Sequence, residues 1–347
     1  MSVHRHWTYV TPNKGFLKKL IGHASFLPSS RGPSLRNIKN ADVTIGSSPT
    51  FFAAMAARRL ARRSGVPFFM EVRDLWPAAF VELGVLKNPL LIRMLEIWEM
   101  SLYRSADRVV TVTEEFRSNL VQRGIPGTKV VNIPNGADTE YWKPGLVSDS
   151  FGAKQELKGK FVVLYIGAHG ISQALSKVLE AASLLRAHGD IVFQFVGEGA
   201  EKEELVRKTL EMGLKNVRFH EPVGRESVRE FYRLAGVTLV PLRNIPLFRT
   251  FIPSKMFEMM ACGCPIVASL EGEAGRILTD SNAAVVVPPE NPEALAREII
   301  RLRDTPSERE SMKKNGPIFV RNHYSRRALA DKYLIEMNQA IMEHRAS

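Results

Sequence analysis

The run 251–265, FIPSKMFEMMACGCP, holds the densest chemistry in the chain. Pro253 suits the first turn of a helix, and Gly263 with Pro265 would close it. Ser254 and Lys255 then fall at the leading end, where backbone N–H groups lack intrahelical partners and the dipole favours an anion. Glu258 lies three residues beyond Lys255, so one helix face would carry an ammonium and a carboxylate. Met256, Phe257, Met259, Met260 and Ala261 surround that carboxylate, which in such company needs hydrogen-bond donors. The vicinal diol of a nucleotide ribose offers two. The pattern predicts a clamp for ribose and diphosphate. An ordinary helix with Lys255 and Glu258 paired in solvent fits the same spacing.

Other polar residues follow short apolar runs. In YIGAHGISQALSK (165–177), Gly167 and Gly170 would let the backbone approach a phosphate, with Ser172 and Gln173 as polar neighbours. His169 in that loop fits either a ligand contact or a structural role. Arg73 and Asp74 follow VPFFMEV (66–72). Asp74 would orient an acceptor hydroxyl or take its proton, and Arg73 would hold phosphate; a turn-capping Asp with a surface Arg is the plainer alternative. Ser47 and Ser48, and likewise Thr113 and Glu114, precede helical patterns, and Ser47 is an acceptor-side candidate. For all four, helix capping is the favoured reading. VGEGAEK (196–202) has Lys202 where a dinucleotide fingerprint needs its third glycine, so it reads as a tight strand-to-helix turn. Cys262 and Cys264 read as small packed residues. No Asp-x-Asp, His-Glu-x-x-His, P-loop or Gly-x-Ser-x-Gly motif occurs, and no metal or cofactor is expected.

The elements that must position these residues alternate. Strands are predicted at 41–46, 66–72, 107–112, 129–133, 161–167, 191–197, 216–220, 237–242, 265–269 and 283–288. Helices are predicted at 50–65, 88–106, 114–124, 173–188, 200–212, 225–235, 253–262, 291–303, 306–320 and 325–343. Continuous apolar strands between helices predict α/β architecture with parallel sheets covered on both faces. PNGADTEYWKPG (134–145) breaks both periodicities and reads as a linker. The expected division is 1–140, 141–322, and a C-terminal helix at 323–347 packing back toward the first domain. Ligands should bind at strand carboxyl ends.

The 347 residues suit two domains. No run is long and apolar enough for a membrane span, and Met1–Tyr9 lacks the apolar core of a signal peptide. Two cysteines only two apart argue against a disulfide framework and suit a cytoplasmic compartment. Net charge is +12, and residues 1–140 hold 19 basic against 11 acidic. That asymmetry suggests an anionic partner. NKGFLKKLIGHASFL (13–27) mixes Lys14, Lys18 and Lys19 with apolar residues at helical spacing, and Arg58, Arg59, Arg62 and Arg63 make a second stripe. Both suit peripheral contact with the inner membrane face, or a solvated helix face over core. Nothing supports nucleic-acid binding beyond charge.

PSKMFEMMACGCPIVAS resembles the donor-nucleotide motif of family-4 glycosyltransferases of the GT-B fold, and VVNIPNGADTEYWKP resembles their interdomain hinge. EVRDLWPAAFVELGVL, IGSSPTFFAA and YVTPNKGFLKKLIGH resemble the WbuB/WcaI-like branch of bacterial surface-polysaccharide synthesis, which includes fucosamine transferases. The resemblance implies two Rossmann-like doubly wound domains, with the acceptor on the N-terminal one and a nucleotide diphosphate sugar, UDP-linked, on the C-terminal one. It implies metal-free transfer with retention to a lipid-linked or glycan acceptor. Glu221 to Gly224 would lie by the base. Two departures stand out: Thr250 occupies the place of a second glutamate, and the Gly167–Ser172 loop has no arginine. The match begins well inside the N-terminal domain, so that domain is expected to lack its first β-α-β segment. That departure also fits an inactive relative that binds nucleotide or a partner.

Overall fold

The computed structural model describes residues 3–10, 16–30, 41–48, 51–82, 84–155 and 157–346. By internal contact the chain forms two units, Met1–Pro134 with Leu329–Ser347, and Asn135–Ala328.

Unit 1 runs α1 (Phe16–Ser29), β1 (Thr44–Ser47), α2 (Phe51–Ser64), β2 (Phe68–Val72), α3 (Ala78–Glu82), α4 (Pro89–Ser105), β3 (Arg108–Thr111), α5 (Glu114–Gln122) and β4 (Val130–Asn132). Its sheet is parallel in the order β1-β2-β3-β4. Local chemistry sets the helix ends. Asn88 accepts from Leu90 and Leu91 N–H ahead of Pro89, and Thr113 accepts from Phe116 N–H to cap α5. α2 lies so close to β1 that a Cβ on Gly46 would sit 2.8 Å from the Ala54 Cα.

Unit 2 continues with α6 (Asp149–Gln155), β5 (Phe161–Ile166), α7 (Leu175–Leu184), β6 (Ile191–Val196), α8 (Lys202–Glu211), β7 (Val217–His220), α9 (Arg225–Leu234) and β8 (Val237–Pro241). Then come α10 (Lys255–Ala261), β9 (Ile266–Ser269), α11 (Glu273–Asp280), β10 (Ala284–Val287), α12 (Pro292–Asp304), α13 (Pro306–His323) and α14 (Arg326–Ala346). Its six parallel strands lie in the order β10-β9-β8-β5-β6-β7. The chain winds outward from β5 to β7, then restarts beside β5 at β8 and winds the other way. This is a doubly wound sheet with its switch point between β5 and β8. Val163, Phe193, Val237, Leu239 and Val267 from its strands meet Leu175, Leu179 and Ile299 in the core.

From Leu329 onward α14 belongs to unit 1. Tyr333, Met337 and Ala340 cover Phe69, Val110 and Ile133 of its sheet. Arg108 anchors the helix through Glu336 at 3.2 Å and Glu343 at 2.8 Å. The linker residue Ala137 bridges Ser325 and accepts from Arg326 N–H, which keeps the start of the linker in unit 2.

The parallel α/β architecture agrees with the expectation. Among the described residues only unit 2 has the reversal that makes a sheet doubly wound. Helices α3, α6 and α11 were not expected, being only five, seven and eight residues long. α10 starts at Lys255 rather than Pro253. Lys14 and the side chains of Lys18 and Lys19 lie outside the described residues.

Candidate active site at the switch point

Beyond Ile166 the chain leaves β5 through Gly167, which has φ +142°, a region unfavourable to residues with a Cβ. That Cβ would stand 3.5 Å from Lys255 Nζ. Lys255, at the first position of α10, extends over this turn. Its Nζ lies 4.0 Å from the Tyr165 ring centroid and donates to the Ile166 carbonyl at 3.4 Å. Among the described residues no carboxylate pairs with it. Burial pushes the amine down to about 7. The site thus holds an ammonium lacking a counter-charge, beside a turn open to close approach.

The loop after β6 braces that turn. A Cβ on Gly197 would fall 2.0 Å from the Gly167 carbonyl oxygen, and one on Gly199 2.4 Å from that of His169. The glycines of VGEGAEK therefore serve close packing between two strand-end loops. His169 N–H donates to Glu198 O, and His169 O accepts from Glu201 N–H, both at 2.9 Å. The His169 ring is fully buried among Tyr165, Phe195 and Phe219, and burial holds its pKa below the ordinary value.

Gly170 has ordinary extended backbone, φ −115°, and its N–H donates to Gln173 Oε1 at 3.2 Å. The Ser172 carbonyl accepts from Arg243 N–H at 2.9 Å, tying the loop after β5 to the loop after β8. Ala174, at the start of α7, is left-handed with φ 46° and ψ 40°. An L-residue is held there at a cost of roughly 1 kcal/mol.

Ser254 is exposed at the N-cap of α10 with helical φ and ψ, and its side chain caps nothing. Glu258 is half-buried, and the solvent pair with Lys255 does not form. Burial raises its carboxyl pKa, while Arg225 and Arg326 pull it down. Arg225 stacks 4.0 Å above the Tyr141 ring and 5.1 Å from that of Trp142. This arginine–aromatic stack beside Glu258 carries no sequence signal, because the partners are far apart along the chain. Lys202, the residue that broke the dinucleotide fingerprint, pairs with Glu198 at 3.0 Å and Glu221 at 2.8 Å. Cys262 and Cys264 are buried and free, as small packed residues. Thr250 donates to Leu247 O.

In unit 1, Arg73 and Asp74 form the turn after β2. Burial pushes the Asp74 carboxyl up to about 6, against the opposing pull of Arg73. Arg73 itself lies 3.7 Å from Glu71. The turn is held by Ser48. Its buried Oγ accepts from Arg73 N–H at 2.9 Å and Asp74 N–H at 3.3 Å, and donates to Asp74 O at 3.3 Å. Ser48 thus bridges two strand ends, and Thr113 caps its helix. Ser47 Oγ donates to the Ser48 carbonyl at 3.1 Å. Gly167 and Lys255 meet, Gly170, Ser172, Ser254 and Glu258 lie in the same unit 2, and Ser47, Arg73 and Asp74 lie in unit 1.

The pattern of the family described as "Glycosyl transferases group 1" matches residues 148–319, and that of the "Glycosyl transferase 4-like domain" matches 15–136. The chain is 27% identical over 297 residues to the "Putative colanic acid biosynthesis glycosyl transferase WcaI" of Escherichia coli, covering 83% of this chain and 72% of that one. It is 29% identical over 234 residues to the D-inositol 3-phosphate glycosyltransferase of Thermomonospora curvata, covering 62% of this chain and 53% of the relative. Among solved structures, sucrose-phosphate synthase from Thermosynechococcus elongatus superposes with a TM-score of 0.74 at 19% identity, over 93% of this chain and 78% of that one. Anabaena HepE in complex with UDP and glucose superposes at 0.70 with 17% identity, over 97% and 84%.

Proposed function

We propose a donor, an acceptor class and a stereochemical course for this chain, which belongs to the GT-B glycosyltransferases of group 1. It moves a sugar from a UDP-sugar to a lipid-linked saccharide in surface-polysaccharide synthesis, with retention of anomeric configuration, at the cytoplasmic face of the membrane. The observation that carries the donor half is the ammonium of Lys255, without a counter-charge, over Gly167 at the switch point of unit 2. A diphosphate supplies the missing charge. Glu258, three residues on, accepts the two ribose hydroxyls. The likeness to HepE, solved with UDP and glucose, supports uridine as the base.

In the reaction the bond from the anomeric carbon to the diphosphate oxygen breaks, and a bond from the acceptor oxygen to that carbon forms on the same face. Negative charge grows on the leaving diphosphate, and Lys255 stabilises it more in the transition state than in the ground state. The acceptor proton passes to Asp74 in unit 1, whose carboxylate is available above about pH 6. We assign the leaving-group charge to protein groups rather than to a metal, and EDTA should leave turnover unchanged.

The test is calorimetry with UDP and GDP. UDP should bind and GDP should bind more weakly; no heat with either would sink the donor assignment. Glu258→Ala should weaken UDP about ten-fold, the loss of hydrogen bonds to a charged group. Lys255→Ala should chiefly lower kcat. Equal effects of both variants on both quantities would contradict this division.

A further inference from the structure

Three strand-end loops of unit 2 converge on one buried amine. β5, β6 and β7 lie side by side, and the chain turns beyond them at 167–174, 197–201 and 221–224. The first two loops share the backbone bonds of His169 with Glu198 and Glu201. The third meets the second at Gly197, whose N–H donates to the His220 carbonyl at 3.3 Å. Past that rung, among the described residues, the only polar link from 221–224 back to the loop after β6 runs through Lys202, the first residue of α8.

The Lys202 side chain is 10% exposed, yet its partners are not buried with it: Glu198 is 57% exposed and Glu221 80%. Lys202 Nζ donates to Glu198 Oε2 at 3.0 Å, to Glu221 Oε1 at 2.8 Å and to the His220 carbonyl at 3.4 Å. An ammonium has three N–H groups, and all three are used. A buried ammonium is costly without such partners, whereas either carboxylate is readily hydrated. The amine therefore holds the carboxylates in place rather than the reverse. Stability alone does not call for this arrangement, because an apolar side chain of similar length would fill the space without burying a charge.

The third loop adjoins the nucleoside end of the proposed donor. From Gly167 and Lys255 the donor passes to Glu258, whose carboxyl Arg225 pulls toward ionisation, and Arg225 starts α9 directly after Gly224. We propose that Lys202 is a positioning residue for the donor: it fixes 221–224 against the loops of β5 and β6 before the nucleotide arrives, so that UDP binds without first ordering that wall. The inference rests on the UDP-sugar reading of the site. Ordering a loop in advance raises affinity by removing an entropy cost from the binding step. A cation that merely attracted diphosphate from a distance would act through charge alone, and the two roles differ in sign at Glu221. Glu221→Gln removes a negative charge, which strengthens UDP binding if only charge counts and weakens it if the lock counts.

The experiment is calorimetric titration of the full chain with UDP in four forms: wild type, Lys202→Met, Glu221→Gln and the double variant. Methionine fills the space of the lysine stem and frees both carboxylates to water, so Lys202→Met should fold, which thermal unfolding checks. Glu221 is largely exposed, and its variant decides the matter if Lys202→Met does not fold. Lys202→Met should bind UDP about ten-fold more weakly, and Glu221→Gln about three-fold. The double variant should bind no more weakly than Lys202→Met, because both changes break one lock. In the UDP-free protein, hydrogen–deuterium exchange at 221–224 should be faster in each variant. Tighter UDP binding by Glu221→Gln overturns the proposal, as do losses that add in the double variant or exchange that stays at the wild-type rate. No heat from the wild type defeats the donor reading and this role with it. Wild-type binding of UDP with an unchanged affinity in Glu221→Gln defeats this role alone.

Discussion

Lys255 shows how a single residue can carry a testable proton. Its pKa falls to about 7 because the amine is buried over an aromatic face with no carboxylate. A depressed lysine costs folding free energy below its unfolded pKa, and that cost grows as pH falls toward the folded value and is constant below it. Stability linked to this group should therefore rise between about pH 7 and pH 10. A bound diphosphate would favour the ammonium form and raise the pKa again. At pH 8 UDP binding should take up close to one proton, read by calorimetry in buffers of different ionisation enthalpy, and Lys255→Met should abolish the uptake. Asp74 runs in the opposite sense. Its carboxyl is raised to about 6, so kcat/KM should fall below that pH as the base protonates, and Asp74→Asn should lower kcat by about 10² or more. Ser48 acts on the same turn through backbone. Ser48→Ala removes the acceptor of two backbone amides and should reduce kcat with UDP affinity intact, while Ser48→Thr restores part of the loss.

At the scale of elements, the unit 2 site is two strand-end loops pressed together. Gly197→Ala would drive a methyl group into the Gly167 carbonyl from a backbone at φ +138°. We expect a loss of about 3 kcal/mol with weaker UDP binding, measured by urea unfolding and calorimetry. The strands were readable from sequence to within one to three residues, because strands covered on both faces are continuous apolar runs. α3, α6 and α11 were not, since helices of eight residues or fewer show too little period to register. α11 follows Gly272 and contains Gly275, both poor helix signals. The start of α10 was placed two residues early, because Pro253 suits a first turn without specifying one.

For the whole molecule, chain order and spatial order part company in two places. β8 returns beside β5, which sets the 167–172 loop against Arg243 and α10. The last helix then leaves unit 2 and closes the core of unit 1. Ending the chain before Leu329 would uncover Phe69, Val110 and Ile133 and remove both carboxylate partners of Arg108. Unit 1 should then melt separately and earlier in calorimetry while UDP binding by unit 2 survives; a single unchanged transition would contradict this dependence.

The residues 253–265, 165–177 and 71–74 supplied the expectation of nucleotide and acceptor chemistry, and the alternation of apolar runs was enough for parallel α/β units. Both are local: they depend on side-chain type, spacing and helix-end electrostatics, which the order of residues contains. Tertiary structure alone decided that no carboxylate among the described residues pairs with Lys255, that Arg225 stacks over Tyr141 near Glu258, and that Ser48 bridges to Arg73 and Asp74. Desolvation and unmet charge depend on what packs around a group, and that packing joins partners as far apart as Ile166 and Lys255, 89 positions along the chain.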